Sequence, residues 1–370
     1  MPTKSSSRPV RLWLWSVAAL IFITVIVGGA TRLTESGLSI VEWKPVTGMV
    51  PPLTQQEWAI EFAKYQVIPQ YQQINKGMSL DDFKTIFWWE WAHRLLGRLI
   101  GFAFLLPFLW FLWRGSIEPA MRVGLATIFA LGAFQGAVGW WMVSSGLADR
   151  VRVSHERLAF HLTLACVIYS AVVWTASRIG PAPTTIDAQS SGQAPRRLRV
   201  SAYALIVLTL IQFYLGAIVA GLRAGLIYNT WPLIDGAFIP SGADLFFASP
   251  WWINFLENTL TAQFTHRMVG YALLLLALLH LVDVARTKTR GQGTLGWATV
   301  LVLAMIGQIT LGIYTLILHV PIDIALLHQG GALVVLTIAV LHAARLTPRS
   351  VTQSAAAPAQ KPATVGAGRA

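Results

Sequence analysis

The chain has 370 residues, of which 55% are apolar and 12% charged. A soluble fold covers itself with about 25% charged residues, so a soluble globular domain is excluded, and 16 Trp with 17 Phe suit anchoring at two lipid–water boundaries. The net charge of +12 does not point to nucleic acid, because the basic residues fall in short segments between apolar runs, and the single cysteine, Cys166, excludes an intrachain disulfide or a cysteine-based metal cluster.

Residues 1–11 carry Lys4, Arg8 and Arg11 and are expected to be a cytoplasmic N-terminus. The apolar run that follows is long enough to span a bilayer and shows no small-residue cleavage site. It is therefore read as the first membrane helix rather than a secretory signal, and too few residues precede it for a transit peptide. About 20 apolar residues at 1.5 Å each cross the hydrocarbon core. Runs of this kind predict eight spans, over 12–30, 87–112, 122–144, 158–177, 201–221, 262–285, 294–318 and 325–345. The long outer loop 32–86 should be folded, since Thr54 to Glu57 and Ser79 to Asp82 both read as capped helix starts, the second leading straight into the second span. The chain then divides into an N-terminal four-helix half (12–178), a cytoplasmic linker rich in Pro, Ser, Ala and Gly (179–200), a C-terminal four-helix half (201–346) and a disordered tail (347–370). With the N-terminus inside, 16 of the 28 basic residues fall in inner segments. Nine fall in outer loops, five of them in the long loop where the rule is weaker. The expected fold is an all-α integral membrane protein with N-in/C-in topology.

The two halves resemble each other. The second span opens with Glu90-Trp91-Ala92-His93-Arg94 and the sixth with Gln263-Phe264-Thr265-His266-Arg267. The third contains Phe134-Gln135-Gly136-Ala137-Val138-Gly139 and the seventh Gly307-Gln308-Ile309-Thr310-Leu311-Gly312; each precedes a histidine early in the next span, His161 or His328. The first and fifth spans end in Val27-Gly28-Gly29 and Val219-Ala220-Gly221, followed by Arg32 and Arg223. Four helices return the chain to its starting side, so the repeats are parallel. They predict two pseudo-twofold-related four-helix bundles with the axis along the membrane normal.

His93, His161, His266 and His328 are all expected within the first turns of even-numbered spans, at one depth near the outer face. Two imidazoles at one depth on neighbouring helices can approach a flat macrocycle from opposite sides, the arrangement of six-coordinate heme, and each half supplies one such pair. A repeated structural polar contact is the competing reading. His155 and His319 are placed in outer loops. His280 and His342 each follow a proposed ligand by 14 residues, about 21 Å along one helix face. They are read as interfacial histidines, with a second stacked heme as the alternative.

Glu90-x-x-His93-Arg94, Ser154-x-x-Arg157-Leu158-Ala159-x-His161, His266-Arg267 and His328-Gln329, on eight spans in two halves, resemble the heme A synthase family over about residues 12–345. Gly28 to Thr34, Gly37-Leu38-Ser39 and the long outer loop are similar to its proteobacterial and mitochondrial branch. Other members carry a cysteine pair in outer loops, which this chain lacks, so a thiol-based step is excluded. The resemblance implies stepwise oxidation of the C8 methyl group of heme O to the formyl group of heme A, for assembly of a heme-copper terminal oxidase in the bacterial inner membrane. It implies His93 and His161 as ligands of the substrate heme, and His266 and His328 as ligands of a resident heme b. It also implies an electron acceptor or donor protein, heme O synthase and oxidase assembly factors as partners, with homo-oligomers possible.

Glu90 stands where the second half has Gln263. A carboxylate within the membrane is costly and usually functional, which makes Glu90 the candidate catalytic base; an ion pair with Arg94 or Arg98 is the structural alternative. If both axial positions of the substrate heme are held by histidine, oxidation proceeds by electron and proton removal with water as the oxygen source. If one histidine releases, oxygen chemistry at iron stays open. Arg94, Arg267, Arg32 and Arg223 are candidate partners for heme propionates. The rival functions are a diheme b-type electron carrier without its own chemistry, which leaves Glu90 unexplained, and a transporter.

Overall fold

The computed structural model describes residues 7–180, 194–287 and 293–348. Most of the expected linker 179–200 and nearly all of the expected tail 347–370 lie outside the described residues, as do residues 1–6 of the N-terminus. The described residues are helical, with no named strand, and eight helices are long and apolar enough to cross a membrane. These are α1 (Ser7–Leu33), α2 (Leu80–Trp113), α3 (Pro119–Ser144), α4 (His155–Arg178), α5 (Arg196–Gly221), α6 (Thr259–Arg286), α7 (Thr294–Ile317) and α8 (Ile322–Leu346). Each expected span is present. Most run several residues past the apolar run that predicts them, because backbone hydrogen bonding continues to the next cap while hydropathy falls at the interface.

The largest overrun is at α2, which begins at Leu80. Its start is the Ser79 cap, whose hydroxyl accepts the Asp82 amide. The added turns need apolar cover, and the long connection supplies it. A helix over Gln55–Gln66, opened by a complete Thr54–Glu57 capping box, packs Trp58 and Tyr65 with Ile68 against Phe83 and Phe87. In this connection Lys44 and Lys64 hold the Glu42 carboxyl below its usual range, and burial pushes the Tyr65 phenol up. His93 therefore lies thirteen residues into its helix, whereas His161, His266 and His328 lie six, seven and six residues in. The expectation that all four occupy first turns holds for three of them.

Within residues 7–178, each of α1 to α4 packs against the next, and α4 returns to α1; α5 to α8 do the same. Between these groups α4 touches α5 and α8, and α1 touches α8. At one end the helices are closely packed: α1 contributes Val10, Trp13, Leu14 and Val17 to a cluster with Phe104, Phe108, Leu125 and Val172. Farther along, from Ile21 to Leu38, the same chain segment lines a cavity. The outward faces expose Leu106, Trp110, Leu275, Leu279 and Leu303, side chains that a lipid environment solvates and water does not.

Candidate functional site

All four histidines line one continuous, largely apolar cavity of about 950 Å³ that reaches from α1–α4 into α5–α8. His93 and His161 are near enough to interact electrostatically, as are His266 and His328. Each imidazole is seated on a glycine of the preceding helix. A Cβ added at Gly28 would come within 3.0 Å of His93, at Gly139 within 3.0 Å of His161, at Gly216 within 3.0 Å of His266 and at Gly312 within 2.8 Å of His328. Real Cβ contacts essentially never close to under 3.0 Å, so a side chain at Gly312 would displace its ring, and at the other three seats the imidazole would have to give by a few tenths of an ångström.

Four residues before three of these glycines stands a glutamine on the same helix face. Gln135, Gln212 and Gln308 donate to the backbone carbonyls of His161, His266 and His328 at 2.9, 2.9 and 2.7 Å. Gln135 and Gln308 also lie 3.2 and 3.0 Å from the Nδ1 atoms of their histidines. All three amide oxygens are buried without a partner, as is His266 Nδ1. The amide nitrogen that holds each histidine carbonyl thus also stands beside the Nδ1 side of that ring and fixes its orientation on the helix. On α1 the matching residue is Thr24, whose hydroxyl donates to Leu20 instead.

Glu90 is 2% exposed and borders the cavity. One carboxylate oxygen accepts from Arg94 at 2.7 and 3.1 Å; the other accepts from the Ser39 hydroxyl and the Ile40 amide, both at 2.8 Å. Arg94 also donates to the Ile40 and Glu42 carbonyls. The pair thus fastens the start of the long connection onto α2. The second half has the same latch with an amide in it: Gln263 donates to the Tyr228 carbonyl at 2.7 Å, and Arg267 to the carbonyls of Thr230 and Leu233. The ion pair weighed as the structural alternative for Glu90 is present, and Glu90 faces the cavity as well.

Along the cavity lining Glu35 is met by Arg152 at 3.2 Å and by Arg223 of the other half at 2.8 Å, and Arg32 donates to the Ala220 carbonyl. Three arginines to one carboxylate leave a cationic surplus beside an apolar chamber. Arg98 donates to the Lys44 and Pro45 carbonyls and leaves its second terminal nitrogen buried without a partner. Aromatic pairs border each half: Trp43 stacks on Trp140 at 5.9 Å and 11°, and Trp231 donates to the Tyr271 hydroxyl at 2.9 Å. Paired imidazoles on glycine seats, flat aromatic walls and unneutralised guanidinium groups fit a flat, apolar, carboxylate-bearing macrocycle in each half.

The family model for cytochrome oxidase assembly protein, COX15-CtaA, matches residues 11–340. The chain belongs to this family. It is 60% identical over 91% of its length to a protein of Rhodopseudomonas palustris (strain ATCC BAA-98 / CGA009) named heme A synthase, covering 88% of that chain. It is 56% identical over its full length to a protein of the same name from Bradyrhizobium sp. (strain ORS 278), covering 99% of it. A second Rhodopseudomonas palustris protein of that name (strain BisA53) is 54% identical, over 97% of both chains.

The structure corrects several expectations around this site. His280 and His342 are not open to a stacked heme: their Nε2 atoms share a hydrogen bond at 2.8 Å, and no macrocycle fits between rings in direct contact. Both are buried within the bundle near the ends of α6 and α8, with His280 Nδ1 on Ser201. His155 lies not in a loop but in the first turn of α4, 9% exposed. Arg94 and Arg267 are largely occupied by loop carbonyls, which weakens them as carboxylate partners. Arg98, which the sequence pattern passes over, has the unpartnered nitrogen. The glycine seats and glutamine partners show in the sequence as the repeated Gln-x-x-x-Gly of α3 and α7, and Gln212 to Gly216 on α5 is a third copy that the pairing of those two segments does not bring out.

Proposed function

We propose that this protein converts heme O into heme A in a bacterial membrane, oxidising the C8 methyl group stepwise to a formyl group. The reading is supported by the name its relatives share and by one observation above all: a single cavity joins two glycine-seated histidine pairs and carries a latch carboxylate, Glu90, beside only one of them. We assign His93 and His161 to the substrate heme and His266 and His328 to a resident heme b, which supplies one-electron redox chemistry when bound. The contacts α4–α5, α1–α8 and α4–α8 are those that a pseudo-twofold axis exchanging two four-helix bundles would generate. The Lys and Arg bias supports an N-in/C-in orientation, with the histidines toward the outer face. The halves are then residues 12–178 and 201–346.

Conversion of methyl to hydroxymethyl with a water oxygen releases two electrons and two protons. A second such oxidation gives the hydrated aldehyde, which loses water to leave the formyl group. Glu90, at the cavity wall one helical turn from His93, is the group placed to take protons; Ser39 and Arg94 hold its carboxylate in position. Arg98, Arg32 and Arg223 are the proposed partners of heme carboxylates. Electrons leave through an acceptor protein. Pigment extraction from the purified protein, with and without a supply of heme O, tests the reading. Heme b in both cases, with heme A only when heme O is supplied, is expected. Recovery of heme b alone at two per chain would overturn it in favour of an electron carrier.

A further inference from the structure

Away from the cavity, a second set of ligating side chains converges where α4 begins. His155 and Glu156 open α4, and Glu257 closes a short helix over Asn254–Glu257 just before α6. Their ligand atoms all lie within 4.8 Å of one another. His155 Nε2 is 3.4 Å from Glu156 Oε1 and 3.6 Å from Glu257 Oε2. Both distances are long for a hydrogen bond. They match the edge of a ligand tetrahedron around zinc, where ligands at about 2.0–2.1 Å stand some 3.3–3.4 Å apart.

The surroundings favour a cation. His155 is 9% exposed, and its Nε2 is buried without a hydrogen-bond partner while aimed between the two carboxylates. Among the described residues neither Glu156 nor Glu257 pairs with Lys or Arg; the neighbouring Arg157 instead stacks over Trp141 at 4.6 Å and donates to its carbonyl. Two carboxylates facing one imidazole need positive charge between them. Ser154 Oγ donates to Glu156 Oε2, which leaves Oε1 turned toward His155, the kind of outer hydrogen bond that orients a carboxylate ligand. The imidazole itself is positioned by Gly221, the last residue of α5, where a Cβ would come within 2.4 Å of the His155 Cβ.

We propose that His155, Glu156 and Glu257 form a divalent-cation site, of zinc class, with solvent completing the tetrahedron. Imidazole with two carboxylates is a donor set for zinc rather than for the softer thiolate-bound metals. The ion would tie the first turn of α4, six residues before His161, to the segment nine residues before His266. It therefore clamps the outer ends of the two halves together without entering the heme cavity.

The test uses the full-length, tag-free protein purified in detergent, stripped with chelator and titrated with zinc chloride by calorimetry, with elemental analysis after gel filtration. One zinc per chain and a rise in Tm are expected for the parent protein. Glu257→Gln, isosteric and at a half-exposed position, should lower zinc affinity by more than the roughly 10–100-fold that loss of an outer hydrogen-bond partner costs. His155→Ala should abolish binding. The heme absorption of each variant reports whether it has folded, and it should match the parent. Zinc uptake by both variants equal to the parent would overturn the site, as would no uptake by a parent protein whose heme spectrum is intact. A Tm that rises on acidification alone, without zinc, would show instead a protonated His155 bridging the carboxylates and would also overturn it.

Discussion

The two halves carry the same scaffold and differ at the latch. In each, an even-numbered helix presents a histidine followed by an arginine that grips the preceding loop, and each histidine rests on a glycine of the helix before it. The residue three before that histidine is Glu90 in one half and Gln263 in the other. Both reach loop groups: Glu90 accepts from Ser39 and Ile40, and Gln263 donates to Tyr228. The second half therefore shows that an amide can serve in the latch beside an arginine. Loop fastening alone does not call for a carboxylate buried in a membrane protein, where charge is costly. What the first half adds is charge beside a histidine pair, and the proposed division into a working site and a holding site rests on that difference.

The comparison breaks most visibly at the histidines. His328→Ala or His266→Ala should remove heme b from the purified protein while heme O binding persists. His93→Ala or His161→Ala should leave heme b in place and abolish heme A formation. Pigment extraction and the Soret spectrum read both outcomes, and loss of heme b from the His161→Ala protein would reverse the assignment of the halves. Next in size is Glu90→Gln, which copies the second half into the first. Because Gln263 sustains its own latch, the variant should fold and retain heme b. Heme A formation should fall by about 10²–10⁴-fold, the contribution of a positioned acid–base group. Unchanged turnover would reduce Glu90 to a loop fastener.

The glycine seats give a smaller and graded effect. A methyl group at Gly312 would stand 2.8 Å from His328, and one at Gly139 3.0 Å from His161. Forcing an extra carbon into a packed position costs about 1–3 kcal/mol. Gly312→Ala should weaken heme b binding and Gly139→Ala heme O binding, each by roughly 10- to 100-fold on that scale. Heme titration of the stripped protein measures this. Equal affinity in parent and variant would mean that the rings move without consequence for the ligand.

Much of this was legible in the sequence. The eight spans follow from hydropathy, the repeat from matched motifs, and the histidines from their register within it. What stayed hidden depends on contacts between segments distant in sequence. Nothing local marks Ser39 and Ile40 as the groups that meet Glu90, because the path of the 34–79 connection is set by packing Trp58, Tyr65 and Ile68 onto the extended start of α2. The extension itself is legible in the Ser79 cap that leads straight into the span, although apolar counting alone stops short of it. Glycines are common in membrane helices, so a seat for an imidazole cannot be told from a helix-packing glycine until the facing side chain is known. His155 reads as a loop residue by its neighbours, and only the close approach of Gly221 and Glu257 gives it a buried place.

The finest distinction between the halves lies in the glutamines. Gln135 and Gln308 stand in the same relation to His161 and His328, each donating to the histidine carbonyl and reaching Nδ1. A resident cofactor must stay bound, whereas a substrate heme must leave after oxidation. Gln308→Leu should therefore cost heme b affinity about tenfold, the lower end for an outer partner of a ligating histidine. Gln135→Leu should change heme O affinity less and leave heme b untouched. Off-rates of each heme to an apo-globin acceptor would resolve the two. If Gln135→Leu releases heme faster than Gln308→Leu, the glutamines do not distinguish cofactor from substrate, and the difference between the halves rests on Glu90 alone.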